Sequence, residues 1–293
     1  MGGKKMKLKF RIRRNRLNRS VGGDLFLFII LAVGAVFTAI PLVFMISQAF
    51  KPLNELWLYP PQFFVRNPTF KNFVDLFVLM GESWVPMTRY FFNTLLLVVL
   101  GTAGHIILAS MAAYPLAKHE FLFKPFLFQT VVLSLMFTYQ VTAIPNYLIM
   151  AKIGWVDTYA ALIIPTWGMS LGLFLMRQFI VAMIPDELLE AARVDGANEL
   201  TIFWRIVMPI VKPAWLTLMI LSVQQLWRET GSRFIYSEKL KTLPYALTQI
   251  IWGGIARAGV GAAVGLVLMI VPILIFVVNQ SKVVETMSTS GLD

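Results

Sequence analysis

The chain has 293 residues, of which 58% are hydrophobic and 14% charged, with a formal net charge of +11 and a mean hydropathy of +0.72. That composition excludes an ordinary soluble domain, whose helices would turn a polar face to water every few residues. No cysteine is present, which removes disulfides, thiolate metal sites and a cysteine nucleophile from consideration.

Residues 1–24 form a basic arm. Lys4, Lys5, Lys7, Lys9, Arg11, Arg13, Arg14, Arg16 and Arg19 are nine of the 26 cationic side chains, and no acid precedes Asp24. Ahead of an apolar run, such charge holds its end of the chain in the cytoplasm and attracts anionic lipid, and no nucleic-acid role is expected of it. The run that follows, 25–46, is longer than the roughly 7–15 residues of a cleaved signal core, so it is expected to be the first membrane helix. A proline- and aromatic-rich outer loop, 47–89, comes next; Pro60, Pro61 and Pro68 oppose regular structure there, and the aromatics suit a membrane interface.

Further runs at 90–117, 125–144, 158–176 and 260–280 have about the length that crosses a bilayer; they hold no Asp, Glu, Lys or Arg, and His105 is their single histidine. Another run starts near Pro213 and meets Arg228 after 15 residues, which leaves the fifth span unusual. The expected fold is an all-α polytopic membrane protein with six transmembrane helices over 25–281 and a tail, 282–293. With both termini inside, Lys118, Lys124, Arg177, Arg193, Arg205, Lys212 and Lys282 join the arm in the cytoplasm, sixteen of the 26 cations.

Between the fourth and fifth spans lies "ELLEAARVDGANELTIFWRIVMPIVKP", 187–213, within an expected cytoplasmic element at 185–213. Pro185 and Asp186 open a helix whose dipole favours Asp186 and Glu187 at its start. Leu188, Leu189, Ala191 and Ala192 give it an apolar side, while Glu187, Glu190 and Arg193 keep the other wet. Gly196 supplies a left-handed stop, Asn198 caps a second helix, and Pro209 and Pro213 limit or kink that helix. Spacing alone fits an exposed docking element or an ordinary interfacial helix pair.

The residues Glu190, Ala191, Ala192, Asp195, Gly196 and Ala197, followed by Ile206 and Pro209, resemble the EAA loop of ABC importer permeases, in the six-helix, maltose-permease type of the carbohydrate branch. The resemblance covers almost the whole chain. It implies that the helix pair docks into a cleft on a cytoplasmic ATPase, and that partners comprise a second permease subunit in a heterodimer, two ATPase subunits, an extracytoplasmic solute-binding protein and membrane lipid. The setting it implies is a bacterial cytoplasmic membrane. No G-x-x-x-x-G-K-[ST] phosphate loop occurs, so the chain is expected to be no enzyme and to bind no cofactor, with ATP and Mg used by the ATPase chains.

The second constellation is "SVQQLWRETGSRF", 222–234. On a helix running to about Ser232, Gln224 and Arg228 share a face, as do Gln225 and Glu229. Charges at that depth should face a wet cavity or a partner, or else form an Arg228–Glu229 pair that snorkels outward. The resembling family carries Trp-Asn-Glu or Trp-Asn-Asp on the substrate pathway; Trp227 and Glu229 match, but Arg228 replaces the Asn. A guanidinium suits a carboxylate, which points to an acidic, uronate-type oligosaccharide such as one from alginate. Asn93, Tyr139 and Gln140 either line the path or bond between helices. His105 reads as a hydrogen-bonded packing residue, and Gly261-x-x-x-Gly265 as close helix packing. A peptide or amino-acid permease and an autonomous carrier are the alternatives.

Overall fold

The computed structural model describes residues 21–82, 84–252 and 257–289. Most of the basic arm and residues 290–293 of the tail therefore lie outside the described residues, as does the side chain of Tyr139. Every element assigned among them is helical.

Helix α1, Val21–Ala49, precedes a loop that is more ordered than its prolines suggest, with short α2, Leu53–Leu56, and α3, Lys71–Gly81. The order comes from buried polar groups that satisfy the loop backbone. Glu55, 6% exposed, accepts the backbone N–H groups of Arg66 at 3.0 Å and Asn67 at 2.9 Å. Asn72 donates to the carbonyls of Ala49 and Lys51, and the buried Lys51 ammonium donates to the Gln62 carbonyl.

Helix α4, Met87–Lys118, is the central element and packs against α7, Tyr159–Trp167, α8, Ser170–Met183, and α12, Lys212–Trp227. Between α4 and α7 come α5, Lys124–Ser134, and α6, Tyr139–Lys152. After α8 the chain forms α9, Asp186–Val194, α10, Glu199–Ile202, a π-helical turn at Phe203–Val207, and α11, Met208–Ile210. The remaining helices are α13, Leu243–Ile251, and α14, Ala258–Thr289.

The all-helical fold is as expected, while the helices differ in two places from the six continuous spans read from the sequence. Among the described residues, four helices are long and apolar enough to cross a membrane: Gly22–Ala49, Met87–Lys118, Tyr159–Met183 and Ala258–Val278. A fifth is counted if Glu199–Ile210 and Lys212–Trp227, bent by 77°, form one broken span. The bend has a cause in the sequence. Pro209 has no N–H to return to the Arg205 carbonyl, so the ladder slips to a Met208 N–H to Phe203 carbonyl bond before Pro213 starts the next helix. The expected third span, 125–144, is split between α5 and α6 at residues 135–138, where the Ser134 hydroxyl bonds the Val131 carbonyl and Ser170 instead of leaving the turn to the helix ladder. The second difference is that α12 stops at Trp227, short of Ser232.

The main core joins the membrane helices to the 186–211 segment. Met176 and Ile180 of α8, Leu189 of α9, Ile202, Val207 and Leu218 pack in one cluster. Close packing recurs at small residues. A Cβ on Gly265 would stand 3.1 Å from Met45 Sδ, which matches the close helix contact read from its GxxxG spacing.

Candidate functional site

Two regions at opposite ends of α12 carry unusual polar groups. The first is the helix pair. Helix α9 starts after Pro185, with Asp186 and Glu187 in its first turn and Arg193 in its last, as the dipole favours. Asp195 is its C-cap, and Gly196 follows at φ +81°. The Ala197 N–H reaches the Ala192 carbonyl and the Gly196 N–H the Arg193 carbonyl, both at 3.0 Å, so the helix ends in a Schellman motif. Ala197 packs on the same core as Ala192. Asn198 then caps the second helix by accepting the Thr201 N–H at 2.8 Å.

Glu187, Glu190, Ala191, Asp195 and Gly196 are exposed, while Leu189 and Ala192 face the core. Ile206 is half-buried against that core, and Pro209 is exposed on the following turn. At the root of the pair, Lys118 donates to Asp186 at 2.7 Å and holds that carboxyl below its ordinary range. Glu199 takes three partners: the Tyr114 hydroxyl at 2.7 Å, Arg193 Nε at 2.8 Å and His119 Nε2 at 3.2 Å. The sequence offered a faint signal for Glu199, an acid just inside a capped helix, and none for Tyr114 or His119.

The second region is an open cavity of about 560 Å³ lined by Leu221, Gln224, Gln225, Arg228, Glu229 and Pro272. All four polar residues expected to share helical faces thus meet on one cavity, although α12 ends just before Arg228. The Arg228 N–H still bonds the Gln225 carbonyl at 3.3 Å, and the Glu229 N–H bonds the Leu226 carbonyl at 3.2 Å, so a final turn carries both side chains. The expected alternative, an Arg228–Glu229 ion pair, does not form among the described residues. Glu229 instead accepts the Gly231 N–H at 3.1 Å. Beside it, a recess of about 200 Å³ shares Gln225 and Glu229 and adds Asn146 and Arg233.

Several other residues expected on the path do not line this cavity. Trp227 is 4% exposed, its indole N–H donating to the Leu268 carbonyl at 2.9 Å and its ring meeting Phe91 edge-on, so it packs α12 against α14 and does not line the cavity. Asn93, 1% exposed, donates to the Lys239 and Lys241 carbonyls and accepts the Tyr159 hydroxyl, which leaves little for a solute. The exposed Gln140, on α6, does not line the cavity either. His105 is buried, with Nε2 3.2 Å from the Met169 carbonyl and Nδ1 2.8 Å from the Ser222 hydroxyl. A carbonyl can only accept, so Nε2 carries a proton, and in the neutral ring Nδ1 then accepts from Ser222.

Residues 23–286 match the family model described as "Binding-protein-dependent transport system inner membrane component". The chain is 31% identical over 278 residues to a putative ABC transporter permease, ORF2, of Caldicellulosiruptor sp., covering 90% of this chain and 95% of the relative. It is 28% identical over 276 residues to the arabinooligosaccharides transport system permease AraQ of Halalkalibacterium halodurans, again over 90% of this chain and 95% of the relative. A solved bacterial ABC transporter involved in import of the acidic polysaccharide alginate has the same fold, with a TM-score of 0.74 at 20% identity over 91% of this chain and 99% of that one. The match sets aside the autonomous carrier. The chain belongs to the family of binding-protein-dependent inner-membrane transport components, as an ABC permease subunit that transports and does not itself hydrolyse ATP.

Proposed function

We propose that this permease forms half of the translocation path for an oligosaccharide with acidic, uronate-type units. The observation that carries the reading is the Arg228 guanidinium, which faces the 560 Å³ cavity with Gln224, Gln225 and Glu229 and makes no ion pair or side-chain hydrogen bond among the described residues. A fixed cation on a wet path loses part of its hydration, and a substrate carboxylate replaces it bidentately, while amides such as Gln224 and Gln225 suit sugar hydroxyls. The arabinooligosaccharide permease among the relatives and the alginate importer among similar folds support an oligosaccharide, and the latter an acidic one.

In this reading α9 and the Gly196 turn dock on ATPase subunits, which use ATP and Mg. A second permease completes the path, an extracytoplasmic binding protein delivers the solute, and both termini face the cytoplasm. The exposed Glu187, Glu190 and Asp195 support the docking role, and the family's dependence on a binding protein supports the delivery step.

Arg228→Asn tests the substrate. A charge-assisted contact of about 1.5–3 kcal/mol corresponds to tenfold or more in apparent affinity. The variant in the assembled transporter should lose that much for an acidic oligosaccharide and little for its neutral analogue, read as stimulated ATP hydrolysis in proteoliposomes. Equal handling of both sugars by variant and parent would remove the case for an acidic solute.

A further inference from the structure

We propose that Glu199 is a positioning residue that transmits movement of the docked helix pair to α4. The inference rests on the reading of α9 as the ATPase-docking helix. Glu199 stands at the first position of α10, just behind the Asn198 cap, where a carboxylate is favoured by the helix dipole. Its two oxygens gather three side chains from two elements, α9 and α4. Oε1 accepts Arg193 Nε, from the last turn of α9, at 2.8 Å. Oε2 accepts the Tyr114 hydroxyl, from inside α4, at 2.7 Å, and lies 3.2 Å from Nε2 of His119, the C-cap of α4.

The arrangement bridges a weak point. Pro115 lies between Tyr114 and His119, and its missing N–H deletes one rung of the α4 ladder in the last turn. A push on the helix pair at this place would bend the end of α4 and dissipate. Because one carboxylate oxygen holds groups on both sides of Pro115, the end of α4 moves with Glu199. Tyr114 is itself fixed, 5% exposed in the core, with its ring against His119 at 5.1 Å and Phe203 at 5.8 Å.

From Tyr114, α4 runs unbroken back to Asn93, about 32 Å at 1.5 Å per residue. Asn93 and Thr94 bind the 239–243 segment, and α4 packs along α12, whose far end lines the polar cavity. The carboxylate thus joins the docking element to the helix that reaches the transport path.

The test uses the complete transporter with its partner permease and ATPases in proteoliposomes, reading solute moved per ATP hydrolysed. Glu199→Gln keeps an acceptor for the Tyr114 hydroxyl but loses the charge that holds Arg193 and His119. It should lower the coupling ratio by about tenfold, the worth of hydrogen bonds to a charged group, while ATPase subunits still co-purify in full. Tyr114→Phe should lower the ratio less, and the double variant should lower it further than Glu199→Gln alone, because the amide still accepts the Tyr114 hydroxyl. Glu199→Asp, which keeps the charge, should recover part of the ratio. A parental ratio in Glu199→Gln overturns the proposal, and so does loss of co-purifying ATPase, which would make Glu199 a brace for folding or docking. Failure of the docking reading itself shows separately, as unchanged co-purification when α9 carries Glu190→Lys.

Discussion

Gly196 isolates the backbone's part in the proposed docking. Its φ of +81° is in the left-handed region, and nothing lies within 4 Å of where a Cβ would stand. A side chain there meets no neighbour, so the whole penalty of Gly196→Val is conformational, about 1–2 kcal/mol, with β-branching adding to it. Relief of that strain would sacrifice the two 3.0 Å bonds of the Schellman turn. A shift of one or two kcal/mol changes the population of the native turn by about 5–30-fold. In proteoliposomes, Gly196→Val should therefore cut substrate-stimulated ATP hydrolysis and uptake by at least roughly fivefold, with normal amounts of protein in the membrane. Gly154 provides the control, since it has φ +71° and equally empty surroundings but lies in the link between α6 and α7. Gly154→Val carries the same backbone penalty and should leave coupling intact. Gly196→Asn should restore much of the activity, because Asn tolerates the left-handed region. Parental coupling in Gly196→Val, or equal damage from Gly154→Val, would refute the reasoning.

Two further outcomes are expected. The Arg66 N–H, followed by the Asn67 groups, holds the Glu55 carboxyl below its ordinary range, so its contribution to loop order is present above the unfolded carboxyl pKa of about 4.3 and is lost as pH falls through the lower folded value; limited proteolysis of the 50–86 loop should accelerate on acidification in the parent, whereas Glu55→Gln should be cleaved readily and without that pH dependence. Trp227→Phe removes one hydrogen bond, to the Leu268 carbonyl, and should lower thermal stability by about 1 kcal/mol without changing the preference between acidic and neutral sugars; a changed preference at parental stability would return Trp227 to the path.

Much of the architecture was legible because membrane spans are written in composition. The helix pair was legible because its punctuation is local: Asp186 at a start, Gly196 at φ +81°, Asn198 as a cap, and Pro209 and Pro213 around the bend. The pairing of Gln224 with Arg228 and of Gln225 with Glu229 also follows from spacing, whereas the meeting of both pairs on one cavity does not. The break at 135–138 was not legible, since it interrupts a run without formal charge at a place with no glycine or proline and depends on Ser134 meeting Ser170, 36 residues away. Nor was the end of α12 at Trp227, which no helix-breaking residue marks. Glu199 and Tyr114 meet across 85 positions, a pairing that no local pattern can announce.

The end of α12 explains why polar residues within apolar spans divide into two kinds. At 16 residues the helix is about 24 Å long, short of the roughly 30 Å of hydrocarbon, so residues 228–242 begin at membrane depth in largely irregular backbone. Such backbone survives there only if protein groups or a wet cavity satisfy it. Asp157 accepts the Tyr236 and Ser237 N–H groups at 3.0 and 2.9 Å, and Thr94 accepts the Leu243 N–H at 2.8 Å. Thr242 donates to the Glu229 and Thr230 carbonyls, and Asn93 to those of Lys239 and Lys241. These side chains hold the segment, while Gln224, Gln225 and Arg228 are left to face the cavity. Asn93→Leu separates the two roles. It takes the Asn93 donor from the Lys241 carbonyl and the acceptor from the Tyr159 O–H, while Arg89 still reaches the Lys239 carbonyl at 3.3 Å and the Tyr159 oxygen at 3.1 Å; the cost is about 1–3 kcal/mol for each group left buried and unpaired. The purified transporter should melt at a clearly lower temperature, while the fraction that assembles should discriminate acidic from neutral sugar as the parent does. If Asn93 instead lined the path, Asn93→Leu would shift that discrimination and leave the melting temperature where it was.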